Sequence, residues 1–266
     1  MILSRKSSDF LLFIYSVGHT TVDKTRKAAV NMNYAIVLAG GTGKRLGAQM
    51  PKQFTEILGR PVLTYVLEVL EKAACVDGVC VVTVPTYRQA VQDWCAAYGY
   101  RKVRWITEGG TTCQASTYRG VQALEGIAQP KDVVAVCLST GVFLTEEILA
   151  DSFAVAAKYG NAMAAMPCIY NLAETVDGVR ADAIHYKETH RTLNLPWTAR
   201  YGLAQALYAR AREDGVQMGE TAYLPTLLLH YGYPLYLSRD TSLNKLHLTT
   251  PEDTEILTAI LERRMK

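Results

Sequence analysis

The chain has 266 residues and 29.4 kDa, with 28 Lys+Arg against 25 Asp+Glu and 49% apolar residues. That apolar share excludes a disordered chain, the apolar runs are too short to cross a bilayer, and the length suits one compact domain with an arm. Five basic and two acidic side chains fall in residues 1–31, so the body from Met32 onward is neutral and a pI near 8.4 is no argument for nucleic acid.

Residues 10–17 are apolar and follow Arg5 and Lys6, as in a targeting signal, but Asp9 sits at the edge of the run and no small-residue cleavage site follows. Residues 1–31 are therefore expected to be a poorly ordered extension, with Met32 a candidate true start. The six cysteines (Cys75, Cys80, Cys95, Cys113, Cys137, Cys168) lie in apolar or helical segments and form no C-x-x-C pair. They are expected to be reduced thiols, mostly core fillers, in a cytoplasmic protein with no membrane span.

From Tyr34 short β-rich runs alternate with helical patterns, which predicts a parallel sheet covered by helices. Strands are predicted at 34–39, 79–84, 103–107 and 133–138, each a continuous apolar run suited to burial on both faces. Helices are predicted at 61–74, 87–98, 115–124 and 146–159, the last opened by Thr145 with Glu146 and Glu147. Residues 169–176, the Asp177-Gly178 turn and the stretch to Thr189 suggest a hairpin projecting from the sheet. Helical patterns resume at 203–213 and near 221–230. The final helix is announced by Thr250 as N-cap, Pro251 at the first helical position and Asp253 three residues after the cap.

The segment with most chemical content follows the first strand: Ala39-Gly40-Gly41-Thr42-Gly43-Lys44-Arg45. A loop at the carboxyl end of a strand in an open α/β sheet is where ligands bind. Its glycines let backbone N–H groups approach an anion, and Lys44, Arg45 and then Lys52 add charge, which together describes a triphosphate cradle. A Walker loop is disfavoured because Arg45 stands where Ser or Thr is needed. A dinucleotide fingerprint is disfavoured because Gly41, Gly43 and Gly47 are spaced G-x-G-x-x-x-G.

With Met50-Pro51-Lys52-Gln53-Phe54 and Leu58-Gly59-Arg60-Pro61-Val62-Leu63 added, this opening resembles the cytidylyltransferases that act on 2-C-methyl-D-erythritol 4-phosphate or ribitol 5-phosphate. The resemblance covers about 32–264. It implies a Rossmann-like, open, mostly parallel sheet with helices on both faces and a β-hairpin arm at about 169–190, within one nucleotidyltransferase domain over 32–266. It further implies transfer of CMP from CTP to a polyol phosphate with release of pyrophosphate, in isoprenoid biosynthesis for the methylerythritol type, with Mg2+ and a homodimer formed through the arm. Arg45 and Lys52 would then be catalytic, and Ala39, Gly40, Gly41, Thr42, Gly43 and Lys44 would hold the triphosphate. Glu108-Gly109-Gly110-Thr111-Thr112-Cys113-Gln114-Ala115-Ser116 resembles the family's Gly-Gly-x-x-Arg-x-x-Ser segment, which places Gly110, Thr111 and Ser116 beside the nucleotide.

Elsewhere the chain departs from the pattern. Cys113 replaces the arginine of that segment. The family's His-Asp-x-x-Arg-Pro-Phe is Cys137-Leu138-Ser139-Thr140-Gly141-Val142-Phe143, so Leu138 stands at the metal aspartate and Gly141 at the arginine. Leu138 cannot ligate a hard cation, and Glu220 is the remaining metal candidate. On the acceptor side the matching positions are Thr198 and either Lys245 or, without a shift, His247. The nucleotide-side residues are thus retained more than the metal and acceptor residues. This leaves three functions open: a cytidylyltransferase, a nucleotide-binding homologue without catalysis, and transfer to a different acceptor.

Overall fold

The computed structural model describes residues 31–41, 50–216 and 224–265. Its centre is a seven-stranded sheet. β1 (Asn33–Ala39) pairs in parallel with β4 (Gly78–Thr83) on one side and β6 (Val133–Leu138) on the other, and β4 pairs in parallel with β5 (Val103–Glu108). β7 (Asn161–Pro167), β10 (Arg191–Arg200) and β11 (Leu237–Arg239) complete the order β11-β7-β10-β6-β1-β4-β5. β10 alone runs antiparallel in this sheet. Two short antiparallel pairs stand apart: β2 (Glu56–Ile57) with β3 (Arg60–Pro61), and β8 (Leu172–Glu174) with β9 (Ala183–His185).

Alternation along β1 divides the core. Ala35, Val37 and Ala39 pack with α1 (Val62–Lys72), α2 (Arg88–Tyr98) and α4 (Glu146–Tyr159). Tyr34, Ile36 and Leu38 pack with α3 (Cys113–Gln122), α5 (Tyr201–Glu213) and α6 (Leu224–His230). A strand covered on both faces needs apolar residues at every position, which is why β1, β4 and β6 form unbroken apolar runs. The expectation of two-sided burial fails for β5, which is the sheet edge and is largely half-exposed. A third cluster joins α7 (Pro251–Met265) to Ile57, Val62, Val142 and Phe143.

The helix starts predicted at Thr145 and Thr250 hold, while the helices predicted from 115 and 203 begin two residues earlier and the start predicted near 221 lies outside the described residues. Thr145 accepts from Ile148 N–H at 3.4 Å, and Asp253 accepts from Thr250 N–H at 2.7 Å and Thr249 N–H at 2.8 Å. Burial raises the Asp253 carboxyl, but these two N–H groups outweigh it and hold the carboxyl below its ordinary range.

The hairpin at 169–190 is present as β8 and β9, the extension of the β7–β10 pair beyond the sheet. Its turn uses Gly178 at φ 74° and the Asp177 carboxylate, which accepts from Val179 N–H at 2.8 Å and Arg180 N–H at 2.9 Å. The ten-residue β10 is absent from the pattern-based prediction. Its run is broken by Asn194 and Pro196, and the sheet absorbs the proline with a register shift between Asn194 and Trp197. The expected extension lies almost wholly outside the described residues. No described helix is long and apolar enough to cross a membrane.

Candidate functional site

β1 connects through α1 to β4 and β5 on one side, while the chain later returns to place β6 on the other side of β1. The strand order therefore reverses beside β1, and the crevice at the carboxyl ends of β1 and β6 is the expected ligand position.

On the β1 side, Gln53 is buried and its Nε2 donates to the carbonyl oxygens of Ala39 at 2.7 Å and Gly41 at 2.9 Å. It belongs to a one-turn 3-10 helix, Lys52–Phe54, that follows Pro51. Phe54 anchors this turn by stacking on Tyr87 at 4.1 Å between ring centroids and lying against Trp94 at 5.6 Å. With the Ala39 carbonyl held on Gln53, the Gly40 N–H across the same planar peptide points the opposite way, away from the protein amide. Lys52, half-buried, heads the same turn. Thr42, Gly43, Lys44 and Arg45 lie outside the described residues, as does Glu220.

The second glycine loop stands directly against the first. A Cβ on Gly40 would lie 3.8 Å from Gly109 Cα, and one on Gly109 would lie 3.0 Å from Ser116 Oγ. Gly110 has no room for a side chain, since a Cβ there would fall 2.4 Å from Ala115 Cβ. Gly109 N–H donates to Thr83 O at 2.9 Å, tying the loop to β4. Ser116 is buried, with its Oγ accepting from Gly110 N–H at 3.0 Å. The hydroxyl expected beside the nucleotide thus shapes the loop. The cap of α3 is Thr112, which accepts from Ala115 N–H at 3.0 Å, and Thr111 before it is exposed. Burial pushes the Cys113 thiol up, so a neutral group takes the place of the arginine.

The β6 side is different in character. Ser139 N–H donates to Leu38 O at 3.2 Å, and Gly141 N–H donates to Leu138 O at 3.2 Å, which curls the chain into a tight turn. Val142 and Phe143 then enter the α7 cluster, with the Arg264 guanidinium 5.0 Å over the Phe143 ring. Leu138 and Gly141 border a cavity of about 10 Å³ with Cys137, Leu144, Asn194, Leu195, Pro196 and Asn244. Among the described residues no three His, Cys, Asp or Glu side chains converge as a metal site.

Thr198 is not brought to this edge. It sits within the sheet opposite Ala135 and Ala162, buried, sharing a 2.6 Å hydrogen bond with Ser152 of α4. Lys245 is exposed, and His247 Nδ1 lies 2.8 Å from the Lys245 carbonyl oxygen. The residues that pattern reading misses are Gln53 as the staple of the glycine loop and the linked trio Asn194, Asp240 and Asn244. Gln53 is visible in its motif, but its role depends on the fold.

The sequence pattern of one family, 2-C-methyl-D-erythritol 4-phosphate cytidylyltransferase, matches residues 33–263. A ribitol-5-phosphate cytidylyltransferase of Lacticaseibacillus paracasei is 29% identical over 232 residues, covering 86% of this chain and 98% of that protein. A 2-C-methyl-D-erythritol 4-phosphate cytidylyltransferase of Geobacter metallireducens is 31% identical over 236 residues, covering 87% and 98%. In structure, 4-diphosphocytidyl-2C-methyl-D-erythritol synthase of Anaerococcus prevotii superposes with a TM-score of 0.73 at 19% identity, over 88% of this chain and 99% of that one. At that identity the superposition speaks for the fold alone.

Proposed function

Because the chain belongs to the 2-C-methyl-D-erythritol 4-phosphate cytidylyltransferase family of nucleotidyltransferases, we propose that it transfers CMP from CTP to ribitol 5-phosphate or 2-C-methyl-D-erythritol 4-phosphate. The observation that carries this reading is the close approach of the Gly40 and Gly109 backbones at the strand ends, stapled by Gln53 and Ser116. Two strand-end loops that meet at glycines leave amides and space for a nucleotide beside β1.

In this reaction an oxygen of the acceptor phosphate attacks the α-phosphorus of CTP. The bond from that phosphorus to the oxygen bridging the β-phosphate breaks, and pyrophosphate leaves with the electron pair. Lys52 and Arg45 neutralise the charge that gathers on the leaving group, the kind of preorganised stabilisation that supplies most of such a rate. Magnesium, implied by the resemblance, meets no group of three His, Cys, Asp or Glu side chains among the described residues, and Leu138 offers hydrocarbon at the β6 end. No step is assigned to it. The arm, with Ile169, Tyr170, Leu172, Ile184 and Tyr186 exposed, is assigned to contact with a second copy of the chain.

A second reading, nucleotide binding without catalysis, is favoured by the single observation of Leu138 at the β6 terminus. Pyrophosphate release from CTP with each of the two acceptors decides between them. Release above background supports transfer; saturable CTP binding with no release from either acceptor supports the second reading.

A further inference from the structure

Asn194, Asp240 and Asn244 come from two separate segments: the first half of β10 and the connection from β11 to α7. Asp240 and Asn244 are at least nine-tenths buried. Asn194 Nδ2 donates to Asp240 Oδ2 at 3.2 Å and to the Asn244 carbonyl oxygen at 3.0 Å. Asn244 Nδ2 donates to Asp240 Oδ1 at 2.7 Å and to the Leu195 carbonyl oxygen at 2.9 Å.

A carboxamide has two N–H donors, so both amides have their donors fully engaged. An ionised carboxylate only accepts, and so do the two backbone carbonyls. Turning either amide over would set its oxygen against two other oxygens, and the orientation of both is therefore determined by the network. What remains of each side chain is its carbonyl oxygen, Oδ1, with no partner among the described residues. Asn194 and Asn244 supply the polar side chains of the cavity whose other walls are Cys137, Leu138, Gly141, Leu144, Leu195 and Pro196. Those side chains accept hydrogen bonds and have none to give, and the Asp240 charge stands behind them. At about 10 Å³ the cavity holds about one water-sized oxygen. A phosphate or carboxylate, all acceptor and negatively charged, is excluded; a hydroxyl, which donates, is suited.

We propose that Asn194 and Asn244, oriented by Asp240, form a subsite for one hydroxyl of the polyol acceptor. This rests on the transfer reading above and adds a direction to it. The hydroxylated end of the acceptor faces β10 and the α7 connection, and the phosphate is turned toward the glycine loop and Lys52. Asn194 and Asn244 are the binding groups, and Asp240 is a positioning residue.

The test is calorimetric, with CTP titrated in parallel. The binding of ribitol 5-phosphate and of 2-C-methyl-D-erythritol 4-phosphate is compared with that of an alkyl phosphate of matching length, in the full chain and in its Asp240→Asn variant. The unmodified protein should prefer the better polyol phosphate by at least about tenfold. Asp240→Asn, which offers the two amides a donor as well as an acceptor and so releases their orientation, should erase most of that preference while CTP affinity stays within about twofold. Equal binding of polyol and alkyl phosphates in the unmodified protein, which needs no variant to fold, overturns the proposal. So does binding of neither, or an Asp240→Asn variant with its preference intact. Pyrophosphate release on the same samples keeps the two claims separate: a hydroxyl preference without release counts against transfer and leaves the subsite standing.

Discussion

Gln53 holds the Ala39 carbonyl oxygen at 2.7 Å from a position fourteen residues later in the chain. This buried amide supplies two hydrogen bonds at the end of the strand. It fixes the end of β1 and the Gly40–Gly41 backbone that follows it. Replacing Gln53 by Glu keeps the shape and removes both donors, setting a carboxylate against two carbonyl oxygens. CTP affinity is expected to fall at least tenfold in calorimetry, with about 1–3 kcal/mol of folding stability lost in a denaturant titration. Unchanged CTP affinity in a folded Gln53→Glu protein would separate this staple from the nucleotide seat.

Gly110→Ala tests the second loop by crowding. The added methyl falls 2.4 Å from Ala115 Cβ, so the Gly109–Gly110 backbone must move out of register with Gly40. A large rise in the CTP dissociation constant is expected, with the helix content of the protein preserved by circular dichroism. Ser116→Ala, which removes only the hydroxyl that holds Gly110 N–H, should weaken CTP less than Gly110→Ala does.

The thiols and phenols buried in the core give a pH signature. Burial raises Cys80 and Cys137 to about 12 and Cys95 to about 11. It also raises Tyr100 and Tyr201 to about 12, against 10.0 when free. A raised folded-state pKa leaves its contribution intact below the unfolded pKa, and that contribution is lost as pH climbs toward the folded value. Thermal stability is therefore expected to hold up to about pH 9 and to decline from there toward about pH 12, on the reference values for Cys and Tyr. In native protein at pH 8, Cys80 and Cys137 should resist a disulfide reagent that labels them after unfolding. Rapid labelling of either thiol in native protein would contradict the burial assigned to β4 and β6.

The arm makes a prediction about assembly. Ile184 and Tyr186, on β9 and just beyond it, are more than half exposed. Introducing charge with Ile184→Asp should shift the sedimentation of the chain from dimer toward monomer and leave its circular dichroism spectrum unchanged, because the exposed side chain lies outside the monomer core. A monomeric unmodified chain would remove the arm from this role.

How much of this is legible in the sequence differs from one segment to the next. The strands around β1 announce themselves because burial on both faces forces continuous apolar runs, and the α7 start is spelled out by Thr250, Pro251 and Asp253. β10 does not announce itself: Asn194 and Pro196 interrupt it, and only the sheet context converts the interruption into a register shift. The same shift explains Thr198, whose place in a matched motif suggests acceptor contact while its side chain bonds Ser152 inside the fold. Ser116 carries a matched letter too, yet its hydroxyl is occupied by Gly110. The link of Asn194 to Asp240 and Asn244 is beyond any spacing argument, since the contacts that orient the Asn194 amide join residues 46 and 50 positions apart.

The seat of the nucleotide is tested most directly by titrating CTP into the unmodified protein and into Lys52→Ala by calorimetry. One-to-one saturable binding is predicted, in about the 1 μM–1 mM range usual for enzyme substrates, weakened by about tenfold or more when the Lys52 ammonium is removed. No saturation by CTP, or equal affinity in both proteins, would contradict the assignment of the strand-end loops at Gly40 and Gly109 to a nucleoside triphosphate.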